Sequence, residues 1–218
     1  MNRQSDYSFH LFLSGSLLLF LILSGWQPVD RFTWILEVLP VFIGGGILFA
    51  LYPQWTFSRM VCWFLWGHAM VLMVGGHYTY AQVPLFNGLR DAFHLSRNHY
   101  DRLGHFFQGM VPALVAREVF IRRGIVRRGP WLVFIVLCVC MAISAWYELL
   151  EWQAAIWSGT KADAFLGTQG DPWDTQEDMA MAFVGAIFAL SVLRTWHDRS
   201  MQKYIAVETG KPYKEGTA

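Results

Sequence analysis

The chain has 218 residues, 55% hydrophobic and 15% charged, against the roughly 25% charged residues usual in soluble domains. Its formal net charge of +1 leaves no basic surplus for nucleic acid. The 11 tryptophans and 17 phenylalanines suit a lipid solvent, where amphipathic rings collect at the interfaces.

A helix needs about 20 mainly apolar residues to cross a bilayer, and six such stretches are predicted, at 9–25, 33–51, 60–83, 101–121, 131–152 and 176–196. The first, with "LFLSGSLLLFLILSG", is read as a span rather than a cleaved signal, because its N-terminal flank offers a single Arg3 balanced by Asp6. The second carries Glu37 and Pro40, and the third carries His68 and His77. Glycines in "FIGGGILF" and "VGGHY" are expected to allow close helix packing. The fourth span is the least apolar, and the fifth and sixth each have acids at one end. Cys62, Cys138 and Cys140 lie in apolar runs and read as small buried hydrophobes, not a disulfide framework.

The expected fold is an all-α integral membrane protein, a single domain over 1–218 built as a six-transmembrane-helix bundle with residues 197–218 as a cytoplasmic tail. Basic residues are retained on the cytoplasmic side. With both termini cytoplasmic, 12 of the 17 Lys and Arg fall inside, among them the run "IRRGIVRRG", leaving Arg31, Arg90, Arg97, Arg102 and Lys161 outside.

On this topology His77, His94, His99, Asp101, His105, Glu148, Glu151, Asp171, Asp174, Glu177 and Asp178 share the outer side. Asp101, His105 and Gln108 are spaced i, i+4, i+7 and Glu148 and Glu151 i, i+3, so each set lines one helix face. Ionisable groups within a span are costly unless they pair or face a cavity, so these stripes should converge. Carboxylates with one histidine and no thiolate suit a hard or borderline divalent metal ion, with Asp101, His105, Glu148, Glu151, Asp174 and Asp178 as candidate ligands and His105 and Glu148 as candidate catalytic groups. No nucleotide loop, nucleophile elbow or zincin helix is present.

Helix capping competes with this reading. In "GDPWDTQEDM", Asp171 is placed to cap the sixth span, and Asn98 in "NHYD" to cap the fourth with Asp101 completing a capping box. Capping does not account for Glu148 and Glu151, which are predicted at a helix C-terminus, where negative charge is disfavoured. The connection before the sixth span, with Trp157, Phe165 and Trp173, is long for a hairpin and is expected to fold back over the polar cluster as a packed lid.

The blocks "NHYDRLGHFFQGMVPALVAREVFIRR", "SAWYELLEWQAAIWSG" and "ADAFLGTQGDPWDTQEDMAMAFVGA" resemble, in order and over nearly the whole chain, the YjdF-like family of bacterial inner-membrane proteins. That resemblance implies a bacterial inner-membrane location and no activity. A more distant resemblance is to VanZ-like membrane proteins, whose Asp-x-x-x-His helix start is similar to Asp101 and His105. Glu148 with Glu151 and Asp174 with Asp178 would take the later polar positions, Asp178 standing where that pattern has Asn.

Two functions fit these residues. One is a metal-dependent membrane hydrolase or transferase acting at the outer face on an envelope or lipid-linked substrate. The other is a non-catalytic cation- or proton-binding, transport or accessory membrane protein. The partners expected in either case are the lipid bilayer and, for the enzyme, that substrate.

Overall fold

The computed structural model describes residues 3–158 and 168–209, with side chains over 6–157 and 168–206. Among the described residues the secondary structure is helical throughout: α1 (Arg3–Ser24), α2 (Arg31–Leu51), α3 (Arg59–Tyr78), α4 (Pro84–Phe93), α5 (Tyr100–Arg122), α6 (Pro130–Ser158), α7 (Asp174–Ser191) and α8 (Arg194–Thr209). Four of these, α1, α2, α3 and α6, are long and apolar enough to cross a membrane, or five spans if α7 and α8, bent by 62° at a short break, count as one. α5 is not among them. Asp101 and Arg102 lie in its first turn and Arg117, Glu118 and Arg122 near its end.

The residues divide into two compact units. The first holds α1, α2, α3 from Trp66, α4, the start of α5 to Gly104, α6 from Glu151 and residues 168–172. Its core is Val38, Val41, Ala69 and Met73, with Leu17, Leu21 and Trp34 packed around them. Hydrogen bonds join the helices where side chains are polar. Trp66 Nε1 donates to Ser16 Oγ at 3.0 Å, Trp34 Nε1 to Ser24 Oγ at 3.2 Å, and the Val29 amide to the His77 carbonyl at 2.9 Å. Asp30 caps α2 by accepting from the Thr33 amide at 2.7 Å, satisfying a helix-start donor that lipid cannot. A second cluster of Tyr80, Val83 and Tyr100 gathers Phe86 and Leu103, and Tyr100 donates its hydroxyl to the Val71 carbonyl at 3.0 Å.

The second unit holds segment 53–65, α5 from His105, α6 to Leu150, α7 and α8. Here α5 and α7 cross with their backbones in contact. A Cβ on Gly109 would run into the Ala182 backbone, and one on Gly185 into the Phe106 carbonyl. Small residues at such a crossing let dispersion act between main chains, which drives helix association in lipid. α8 is packed rather than an open tail, with His197, Met201 and Tyr204 buried.

Several expectations shift. α3 stops at Tyr78 rather than 83, because Thr79 and Tyr80 take left-handed φ values of 52° and 51°. α6 runs on to Ser158, so Glu148 and Glu151 lie inside a helix and the end-dipole objection does not apply to them. α4 went unforeseen. Gly75 and Gly76 do sit in close contacts, with Tyr80 and with Trp34 and Glu37, whereas Gly44, Gly45 and Gly46 face open space. Of the cysteines only Cys140 is buried, Cys62 is half-buried and Cys138 exposed. Large apolar side chains such as Phe49, Leu19, Ile35 and Phe134 point outward, the arrangement expected when lipid surrounds the helices.

Candidate metal centre

His105 and Asp178 each sit one turn before a residue of the α5–α7 crossing, His105 before Gly109 and Asp178 before Ala182. The close backbone approach at that crossing brings them together in the second unit: His105 Nε2 is 3.6 Å from Asp178 Oδ1, and His105 Nδ1 is 3.7 Å from Glu148 Oε1. All three are buried. The other imidazole nitrogen is held by its own helix, with Nδ1 donating to Gln108 Oε1 at 3.0 Å. With the Gln108 oxygen as acceptor Nδ1 carries a proton, and Nε2 is the nitrogen that faces Asp178. The Tyr147 ring meets His105 edge-on at 6.2 Å. One turn before Glu148 on the same face of α6, the buried Ser144 hydroxyl has no hydrogen-bond partner.

Asp101 lies one turn before His105 on α5, and in the first unit two arginines approach it. Arg97 and Arg102 each approach Asp101 Oδ2 at 3.7 Å and Asp171 Oδ2 at 3.3 and 3.5 Å. Asn98 is the hub beside them. Its Oδ1 accepts from the Tyr100 amide at 3.0 Å, its Nδ2 donates to the Val83 carbonyl and to Asn87 Oδ1, and its amide and carbonyl pair with the Gln169 side chain, both at 2.9 Å. Asn98 thus accepts at the start of α5 as its capping reading has it, but its amide donates to Gln169 rather than to Asp101, so Asp101 does not complete a capping box. The capping reading of Asp171 is not. α7 begins at Asp174 behind Trp173, which makes no side-chain cap bond, and Asp171 serves Arg97 and Arg102 instead.

Of the remaining candidates, Glu151 is buried one turn after Glu148 on α6, and Asp174 is buried in the first turn of α7. The connection does fold back at its end, through Gln169 and Asp171. However, Trp157 and Trp173 are exposed, so these rings do not form a packed cover; Phe165 lies outside the described residues.

Sequence reading missed a second polar cluster, also in the second unit, around Glu118. The Ser58 amide and hydroxyl donate to Glu118 at 2.7 and 2.6 Å, Arg122 Nη1 at 2.6 Å and His197 Nε2 at 3.1 Å. Arg117 Nη1 donates to His197 Nδ1 at 3.1 Å and Nη2 to Asp198 at 2.6 Å. Arg122 also stacks 3.7 Å over the Trp55 ring. Glu118, His197 and Ser58 are fully buried. This is no nucleophilic triad. Ser58 binds the carboxylate rather than the imidazole, and both imidazole nitrogens are engaged, so the hydroxyl has no imidazole base. The i, i+4 pair Glu118 and Arg122 was visible in the sequence, but Ser58 and His197 come from distant segments.

Apolar helices facing outward and buried charges in pairs define the class, a multi-pass helical membrane protein. The chain belongs to the DUF2238 family of predicted membrane proteins, which matches residues 9–199. It is 47% identical over 189 residues to the inner membrane protein YjdF of Escherichia coli (strain K12), covering 87% of this chain and 90% of that one. It is an inner-membrane protein. No solved structure matches it.

Proposed function

We propose that His105 and Asp178 bind a divalent cation on the outer side of the membrane, in a six-span bundle with both termini cytoplasmic. The observation that carries this is the facing of the buried His105 Nε2 and the buried Asp178 carboxylate at 3.6 Å. A shared proton would draw them to about 2.7–2.9 Å. Two ligands on one cation with bonds of about 2.0–2.1 Å stand about 3.0–3.4 Å apart. Gln108 on Nδ1 supplies the outer-shell hydrogen bond that metal-ligating histidines usually have, and the unpartnered Ser144 hydroxyl adds a polar group on the same α6 face as Glu148.

The activity we propose is hydrolysis or group transfer on an envelope or lipid-linked substrate. The cation would polarise a phosphoryl or carbonyl oxygen, and Glu148, beside the Nδ1 edge of the ring, would accept the proton. Elemental analysis of the purified protein is the first test, with stoichiometric divalent metal expected in the wild type and not in His105→Ala. Metal retained by His105→Ala would overturn the centre. Stoichiometric metal with no turnover of lipid-linked phosphate or ester substrates would leave a cation-binding protein and remove the enzyme. Reporter fusions within residues 84–100 should report the outer side, and a cytoplasmic signal there would invert the topology.

A further inference from the structure

We propose that Arg97 and Arg102 form a binding site for a monoanionic phosphodiester of a membrane lipid, and that Asp171 occupies it in the ligand-free protein. Both guanidinium groups are buried, at 5% and 9% side-chain exposure, and converge on the single oxygen Asp171 Oδ2. A rigid fork of N–H donors is the geometry that matches phosphate as well as carboxylate.

Three features make Asp171 the exchangeable member. Its side chain is 23% exposed and stands on a connection, whereas Asp101 is fixed on α5. Its contacts to the two arginines, 3.3 and 3.5 Å, exceed the charge-assisted distance of about 2.7–2.9 Å. The turn that presents it holds Gln169 at a φ of 49° and Gly170 at 85°, a left-handed conformation that is unfavourable for a residue with a Cβ.

Charge selects the ligand class. A phosphodiester of charge −1 in the place of Asp171 leaves the charge beside Arg97 and Arg102 unchanged. α4 sets the depth. Leu85, Leu89 and Phe93 recur every fourth residue and are exposed, the stripe of a helix lying in the interface with its apolar face among acyl chains. Asn98, next to Arg97, is bonded to Val83 and Asn87 at the start of that helix, which puts the arginine pair at the level of lipid headgroups.

The test uses full-length protein in a phosphate-free maltoside detergent with a chelator present, so that it is independent of the cation reading. Dihexanoyl phosphatidylglycerol and inorganic phosphate are titrated calorimetrically into wild type, Asp171→Asn and Asp171→Asn with Arg102→Gln. Removing the internal competitor should tighten lipid binding about tenfold, and Arg102→Gln should abolish the gain. Arg102→Lys, which keeps the charge and loses the fork, serves if the glutamine variant does not fold and should also lose most of the gain. Unchanged affinity in Asp171→Asn, a gain that survives either Arg102 substitution, or no binding of either probe would overturn the proposal. Equal affinity for inorganic phosphate would overturn the lipid assignment.

Discussion

α5 carries a histidine–carboxylate cluster near each end, and the two are built differently. Around Glu118 the contacts are 2.6–3.1 Å, Ser58, Arg122 and His197 all donate to one carboxylate, and cationic partners supply the opposite charge. Around His105, 13 positions earlier and so about 20 Å away along the axis, acids face the ring at 3.6 and 3.7 Å. The first is a closed network whose polarity is consumed internally, tying segment 53–65 and α8 to α5. The second sets the ring between Asp178 and Glu148 at longer range. Burial alone does not separate a structural cluster from a site. The contact distances do.

The largest effect should come from breaking the closed network. Glu118→Ala leaves Arg122 and His197 buried without their acid, and about 3–5 kcal/mol of stability should be lost, read by unfolding in detergent. A loss below about 1 kcal/mol would erase the distinction between the clusters. Next is the open cluster, where hundredfold excess of cation over its Kd should stabilise wild type by about 2.7 kcal/mol. His105→Ala should remove that shift while unfolding little differently without metal. A metal-induced shift that persists in His105→Ala would place the cation elsewhere.

A smaller effect sharpens the role of the crossing. Gly185→Ala puts a methyl against the Phe106 carbonyl, where overpacking costs about 1–3 kcal/mol, and it should also weaken cation binding because His105 and Asp178 depend on that approach. Stability lost with full cation affinity retained would detach the site from the crossing. The smallest effect is expected at Phe49, 85% exposed. Phe49→Ala should stay within about 0.5 kcal/mol, and a larger loss would show that the ring is covered by protein.

The sequence by itself determined the class of molecule and most helix positions, because apolar length and the 3.6-residue period are local properties. It also put Asp101, His105 and Gln108 on one face of α5, and His105 does bond Gln108. Where a side chain had a choice of partners, only tertiary structure decided. Asp171 reads equally well as a helix cap or an ion-pair partner, and it meets Arg97 and Arg102 because α7 starts three residues later. Ser58 and His197 carry no motif, yet the paths of segment 53–65 and of α8 bring them to Glu118. Distances between side chains on different helices depend on how closely the backbones approach, and here Gly109 and Gly185, residues with no side-chain chemistry of their own, set that approach for His105 and Asp178.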